Sequence, residues 1–286
     1  MRKKIVLFDI DGTLVKAGGS GLLALNRAIV SMGGKKNICD YFELQGSTDN
    51  VNFTNAFIAA FGRKPDKKEF KILKERYLKY LPIEVKKAVK ENRYKKIEGI
   101  DKFLNYLLKR KDILIGLGTG NLKEGAYYKL KPAGFSAYFN FGGFGTDSFK
   151  RDKVLQKAVK RAEKILKEKV NPGQVYVIGD TEKDVEAAKS SGYHIGIVLD
   201  GFGNVGKIRK NSPEIMEKNF SNLKPWLIWL GLEKDPKGIK KGTYVCPDTP
   251  IEHAYYGMTG KGSFLSQKDF EKIDRIIKIA KKDVQK

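Results

Sequence analysis

Lys4-Ile5-Val6-Leu7-Phe8-Asp9-Ile10-Asp11-Gly12-Thr13 decides the reading of this chain, because a short apolar run ends there directly in acids. A bounded run of this length, with Ile and Val in it, reads as a strand covered on both faces. The opening Met1-Arg-Lys-Lys is basic, but the apolar stretch behind it (residues 5–8) is too short for the core of a secretion signal and stops at two aspartates. A cytoplasmic protein is the expectation.

Working outward, three more runs have the same character: residues 113–117, 175–178 and 194–199. Helical patterns lie between them. Residues 154–166 put Leu155, Ala158, Val159, Ala162 and Leu166 on one side at helical spacing, and residues 184–190 form a shorter helix stopped at Gly192. Strands alternating with helices predict an α/β fold, a Rossmann-like, doubly wound parallel sheet. The stretch between the first and second strands breaks the rhythm. Residues 21–32, 49–61 and 66–81 all read as helices, the third with the stripe Phe70, Leu73, Tyr77 and Leu81. The expected organisation is a sheet core of residues 1–15 and 98–232, an inserted all-helical cap domain of residues 16–97 over the sheet's end, and a C-terminal extension of residues 233–286. A short helix at 222–232 closes the core. Residues 233–263 read as loop, and a last helix starts at Ser266, with Asp269 three residues on as a capping box.

The composition suits a folded globular protein. Apolar residues make up 41% of the 286, enough for one large core plus a smaller one, and no run approaches the ~20 needed to span a bilayer. Cys39 and Cys246 make no metal-ligand spacing and read as reduced thiols. Only two histidines, His194 and His253, leave little material for a zinc site or a Ser-His-Asp triad. The net charge is +23, and between Arg63 and Lys96 fourteen Lys/Arg face five Asp/Glu. Such a field attracts phosphates or nucleic acid. The basic residues are spread along the chain and Lys dominates, so a solvated surface is favoured over a nucleic-acid partner.

The chemistry sits where strands end. The run 175–178 leads through Gly179 into Asp180, and the run 113–117 leads into Gly118-Thr119-Gly120-Asn121. In parallel sheets the carboxyl ends of strands line one crevice where ligands bind. Asp9 and Asp11 are two apart, so in extended chain both point to one face. Carboxylates gathered this closely repel unless a positive charge sits among them. A hard, oxygen-seeking cation suits, and Mg2+, which needs only one or two carboxylates, fits better than caged Ca2+.

Asp9-x-Asp11-Gly12-Thr13 at the end of a first strand resembles the signature of the haloacid dehalogenase-like phosphatase superfamily. The other motifs follow in order: Thr119-Gly120-Asn121, then Arg151, then Gly179-Asp180-Thr181-Glu182-Lys183-Asp184. Gly46-Ser47-Thr48-Asp49 and Phe144-Gly145-Thr146-Asp147 resemble the phosphoglycolate phosphatase-like subgroup, whose cap lies between first and second motifs. The resemblance covers about residues 3–232. It implies that Asp9 is the nucleophile and Asp11 the general acid and base. It also implies that Thr119, Gly120, Asn121 and Arg151 hold phosphate, and that Mg2+ lies on Asp9, the Asp11 carbonyl and Asp180, with Asp184 steadying the site. Lys150 and Lys153 flank Arg151 and compete for its role, and Thr181-x-x-Asp184 also reads as a capping box. Gly46, Ser47 and Thr48 are the expected cap contacts to a small phosphorylated substrate, such as phosphoglycolate.

The rival readings are a mutase of the β-phosphoglucomutase type, a basic nucleic-acid-binding protein, and a phosphatase acting on nucleic-acid ends. Gly201-x-Gly203-x-x-Gly206 imitates a dinucleotide fingerprint, but Pro213 follows and neither a long helix nor a further strand is evident after it, so a turn is expected.

Overall fold

The computed structural model describes residues 3–41 and 44–234. In chain order its elements are β1 (Lys4–Phe8), β2 (Val15–Ala17), α1 (Ser20–Ser31), α2 (Asp49–Phe61), α3 (Lys67–Lys90), β3 (Tyr94–Lys96), α4 (Ile100–Leu108), β4 (Ile113–Gly118) and α5 (Lys123–Leu130). There follow β5 (Gly142–Gly143), α6 (Arg151–Leu166), β6 (Val175–Gly179), α7 (Glu182–Ser190), β7 (His194–Val198), α8 (Val205–Lys210), β8 (Ile215–Glu217) and α9 (Lys224–Trp229). Among the described residues no helix is long and apolar enough to cross a membrane.

Six strands pair in the order β5-β4-β1-β6-β7-β8, every pairing parallel. The opening strand is central because all four of its apolar side chains are buried, and only an inner strand covered on both faces accepts that. Alternation divides them. Val6 and Phe8 join Ile115, Leu117 and Ile178 in the core on the α4 and α9 side. Ile5 and Leu7 join Val175, Val177, Ile195 and Ile197 under α6 and α7. Phe8 meets Phe103 and Phe139 edge-on, with ring centroids 6.1 and 6.0 Å away. Truncating a phenylalanine packed like this costs about 3–5 kcal/mol. Register places the site: Phe8 lies opposite both Leu117 and Ile178, so the three chains run out at one level.

Between β1 and β4 the chain makes its helical excursion. It leaves through β2 and returns through β3, which pair antiparallel, Val15 opposite Lys96 and Ala17 opposite Tyr94. α1, α2 and α3 share a third apolar cluster that includes Ala24, Ile29, Phe53, Phe57, Leu73, Tyr77 and Leu81. α3 starts at a capping box of Asp66 and Glu69, and runs nine residues past the expected stop at Leu81. Pro82 deletes one helical hydrogen bond. Burial of Leu81, Val85 and Ala88 on the continuing stripe offsets that loss.

The long apolar strands and amphipathic helices stand where the pattern predicts, with ends shifted by a few residues. The pattern missed α4, α5 and α8, and the short strands β2, β3, β5 and β8. One expectation is corrected: a strand does follow Gly206. β8 pairs with β7, opposing Gly196 to Ile215, and three residues are too few to show a period. Cys39 is a buried free thiol. Cys246, His253 and the helix from Ser266 lie outside the described residues.

Candidate active site

Asp9 follows the last residue of β1, and its N–H still donates to the Ile178 carbonyl at 2.9 Å, so the sheet itself fixes the start of the loop. The side chain is only 7% exposed. Asp180 leaves β6 next door, with Oδ2 accepting from Phe202 N at 2.7 Å. Asp184 lies on the first turn of α7. One oxygen from each of Asp9, Asp180 and Asp184 lies within 4.8 Å of the others. Gly12 makes this crowding possible. Its φ of 83° suits glycine, and a Cβ there would strike Asp180 Oδ2.

Two of these buried oxygens, Asp9 Oδ1 and Asp180 Oδ1, have no hydrogen-bond partner. Such orphans are rare and costly unless a ligand or ion meets them. An all-carboxylate donor set that includes two such atoms fits a hard divalent cation. Burial, reinforced by Asp184 and Asp11 and opposed by Arg151, raises Asp9 from an ordinary 3.8 to about 6. Burial, together with Asp184 and Asp9, also pushes Asp180 well up.

Arg151 opens α6 and is the basic side chain that reaches this cluster. Its guanidinium is paired with Asp184 Oδ1, and it stands 3.6 Å from Asp9 Oδ1. Its flanking competitors point elsewhere. Lys150 is exposed, and Lys153 bonds Gln156 at 3.1 Å on the surface. Burial alone would lower the Arg151 pKa, but the Asp184 and Asp9 charges outweigh it and the group is held more firmly protonated. Asp184 divides its carboxylate between the two readings of its sequence. Oδ2 accepts from Thr181 N at 3.1 Å and Thr181 Oγ1 at 2.8 Å as a helix cap, while Oδ1 faces Arg151.

The second motif connects β4 to α5. Thr119 is fully buried and donates its N–H to Gly143 at 3.0 Å. Gly120 lies pinched between the Ser47 carbonyl and the Arg151 guanidinium, with no room for a Cβ. Asn121 uses its side chain as well as its backbone: Nδ2 donates to Asp11 Oδ2 and to Thr119 Oγ1, both at 2.9 Å. Asp11 is partly exposed and stands outside the three-carboxylate cluster. The sequence reading missed its other partner. Lys129 Nζ reaches Asp11 Oδ2 and Asn121 Oδ1, each at 2.6 Å. A signal for it existed: on α5 the lysine sits on the buried stripe of Leu122, Ala126 and Leu130, where an apolar residue belongs.

The segment before α2 reaches the same place. Asp49 N donates to Gly120 O at 2.7 Å and its Oδ2 accepts from Leu122 N at 2.7 Å. Asn50 Nδ2 donates to Gly145 O at 2.6 Å. Thr48 caps α2 and bonds the Phe149 carbonyl at 3.2 Å. Ser47 Oγ accepts from Lys183 Nζ at 2.7 Å. Gly46 packs against Thr181 and Lys183. The excursion thus brings Gly46, Ser47 and Thr48 up to the loops that carry Thr119 and Asp180.

Buried carboxylates at strand ends, an arginine among them and a second acid at the mouth are equipped for nucleophilic displacement at a phosphoryl centre. The model of the haloacid dehalogenase-like hydrolase family matches residues 6–198, well over half the chain. A curated phosphoglycolate phosphatase from Aquifex aeolicus (strain VF5) is 26% identical over 205 residues, covering 70% of this chain and 86% of the relative. Two crystal structures share the fold. A predicted phosphoglycolate phosphatase from Haemophilus somnus 129pt has a TM-score of 0.58 at 17% identity, covering 79% of this chain and 98% of its own. CbbY from Rhodobacter sphaeroides, crystallised with phosphate, has a TM-score of 0.61 at 14% identity, covering 77% and 96%.

Proposed function

The chain belongs to the haloacid dehalogenase-like hydrolase family, and from that premise we propose that it is a Mg2+-dependent phosphatase that hydrolyses a small phosphorylated metabolite through an aspartyl-phosphate. It is an enzyme of the phosphoric monoester hydrolase class. The observation that carries the mechanism is the Asp9 carboxylate: buried at the end of the central strand, it keeps one oxygen unpartnered 3.6 Å from Arg151.

Asp9 attacks phosphorus and the bond to the ester oxygen breaks, while Asp11 gives that oxygen its proton. Asp11 then takes a proton from water. The hydroxide so formed attacks the same phosphorus, the bond to Asp9 breaks, and inorganic phosphate leaves. Arg151 and the backbone N–H groups after Thr119 hold the charge that builds on the phosphoryl oxygens. Mg2+, when held by Asp9, the Asp11 carbonyl and Asp180 with Asp184 behind them, supplies the positive charge that lets a carboxylate approach a phosphate anion.

The helical excursion, residues 16–97, acts as a cap over the core of residues 1–15 and 98–232. Gly46, Ser47 and Thr48 face the substrate, and their proximity to the Thr119 and Asp180 loops supports this. The A. aeolicus relative makes phosphoglycolate the first substrate to try.

The test is a panel of phosphate esters, phosphoglycolate included, assayed with Mg2+ and with chelator, alongside Asp9→Asn. Steady Mg2+-dependent release of inorganic phosphate is expected, reduced at least about 10³-fold in the variant. No phosphate released from any ester by the wild type would overturn the reading.

A further inference from the structure

Lys129 is the buried cation that this mechanism leaves without a task. Its side chain is 7% exposed, and an ammonium costs much to bury unless it is paired. A leucine would have completed the apolar stripe of α5, so the lysine is retained for what it orders. An ammonium only donates. Asn121 must therefore turn its carbonyl oxygen toward Nζ, 2.6 Å away, and its amide nitrogen to the opposite side. There the amide donates to Asp11 Oδ2 and Thr119 Oγ1. Thr119 Oγ1 also accepts from Asn121 N at 3.3 Å, so both of its lone pairs are engaged. Its hydrogen is left for Asp9, whose ionised form the Thr119 side chain stabilises.

We propose that Lys129 is a positioning residue that sets the direction of a hydrogen-bond chain, Lys129 to Asn121 to Thr119 to Asp9, while gripping Asp11 with the same ammonium. Both reacting carboxylates are thereby aimed from one point on α5. With the amide reversed, Asn121 Oδ1 would stand against Asp11 Oδ2, lone pair to lone pair. The Thr119 hydrogen would then be drawn to that carbonyl and away from Asp9. The catalytic purpose rests on the phosphatase reading; the direction of the chain does not.

Lys129→Met tests it, with kinetics and with the side-chain amide cross-peak of Asn121 in an 15N-correlated NMR spectrum, assigned by its disappearance in Asn121→Ala. The expected result is kcat lower by on the order of 10²-fold with KM within about threefold, and a displaced amide cross-peak. Because Asp49 also faces the ammonium, the double variant Lys129→Met, Asp49→Asn removes the facing acid and keeps the interior neutral should the single variant fold poorly. The same readings apply to it. Unchanged kcat, or a defect confined to KM, overturns the proposal, the latter because it marks direct contact with substrate. An unmoved cross-peak overturns it whatever the rate. If the wild type hydrolyses no ester, the phosphatase reading falls, and the cross-peak still decides this one.

Discussion

Asp9 shows how much a buried carboxylate costs the fold that holds it. Burial raises it from 3.8 to about 6, a shift worth on the order of 3 kcal/mol against the ionised form. Asp49 rises to about 6 as well, again chiefly through burial, with Lys129 opposing. Both pKa values are higher in the folded chain than in the unfolded one, so between about pH 4 and 6 the folded state binds more protons. The stability of the metal-free protein should therefore fall as pH rises through that window. Thermal melts from pH 4 to 7.5 in chelator check this, and Asp9→Asn should raise the melting temperature at pH 7.5 while abolishing turnover. A melting temperature that climbs with pH and is lowered by the substitution would contradict it. Asp9, Asp11 and Asp180 were legible in the sequence because each adjoins an apolar run that names its own strand. Lys129 was harder to read, because its only signal is a lysine on the short apolar stripe of α5, a helix of eight residues. The choice among Lys150, Arg151 and Lys153 needed the helix start in space, since three neighbouring basic residues look alike in a string.

Among the elements, the short loops carry the site and the long ones carry the fold, and the sequence speaks unevenly about the two. The buried strands and α1, α2 and α6 announce themselves by period. β2, β3, β5 and β8, of two or three residues each, are made by pairing alone and leave no trace in the pattern. The loop from β4 to α5 is a case of element-level constraint. Gly120 allows the Ser47 carbonyl and the Arg151 guanidinium to close on it from two sides. Gly120→Ala should push the segment before α2 away from the loop, lower kcat/KM by more than tenfold, and destabilise the protein by about 1–3 kcal/mol. Denaturant melts and steady-state kinetics on the same preparation check both. A fully active, unshifted variant would mean that the segment yields freely.

For the molecule as a whole, Mg2+ held by the cluster of buried carboxylates as proposed would make stability a function of that ligand. A cation that binds only the folded state adds about 2.7 kcal/mol at a hundred times its dissociation constant. For a domain of this size that is roughly 5–10 °C. Saturating Mg2+ should raise the melting temperature by that amount in the wild type and by much less in Asp180→Asn. An equal rise in both would place the ion elsewhere. The ribbon of β2 and β3 has a different consequence. Because Ala17 stands opposite Tyr94, the polypeptide departs for its helices and comes home at the same rung. Helices can be lengthened, traded or redrawn beyond that rung without a single sheet residue changing its neighbour, so the excursion is free to vary while the strand ends that bear the buried carboxylates stay put.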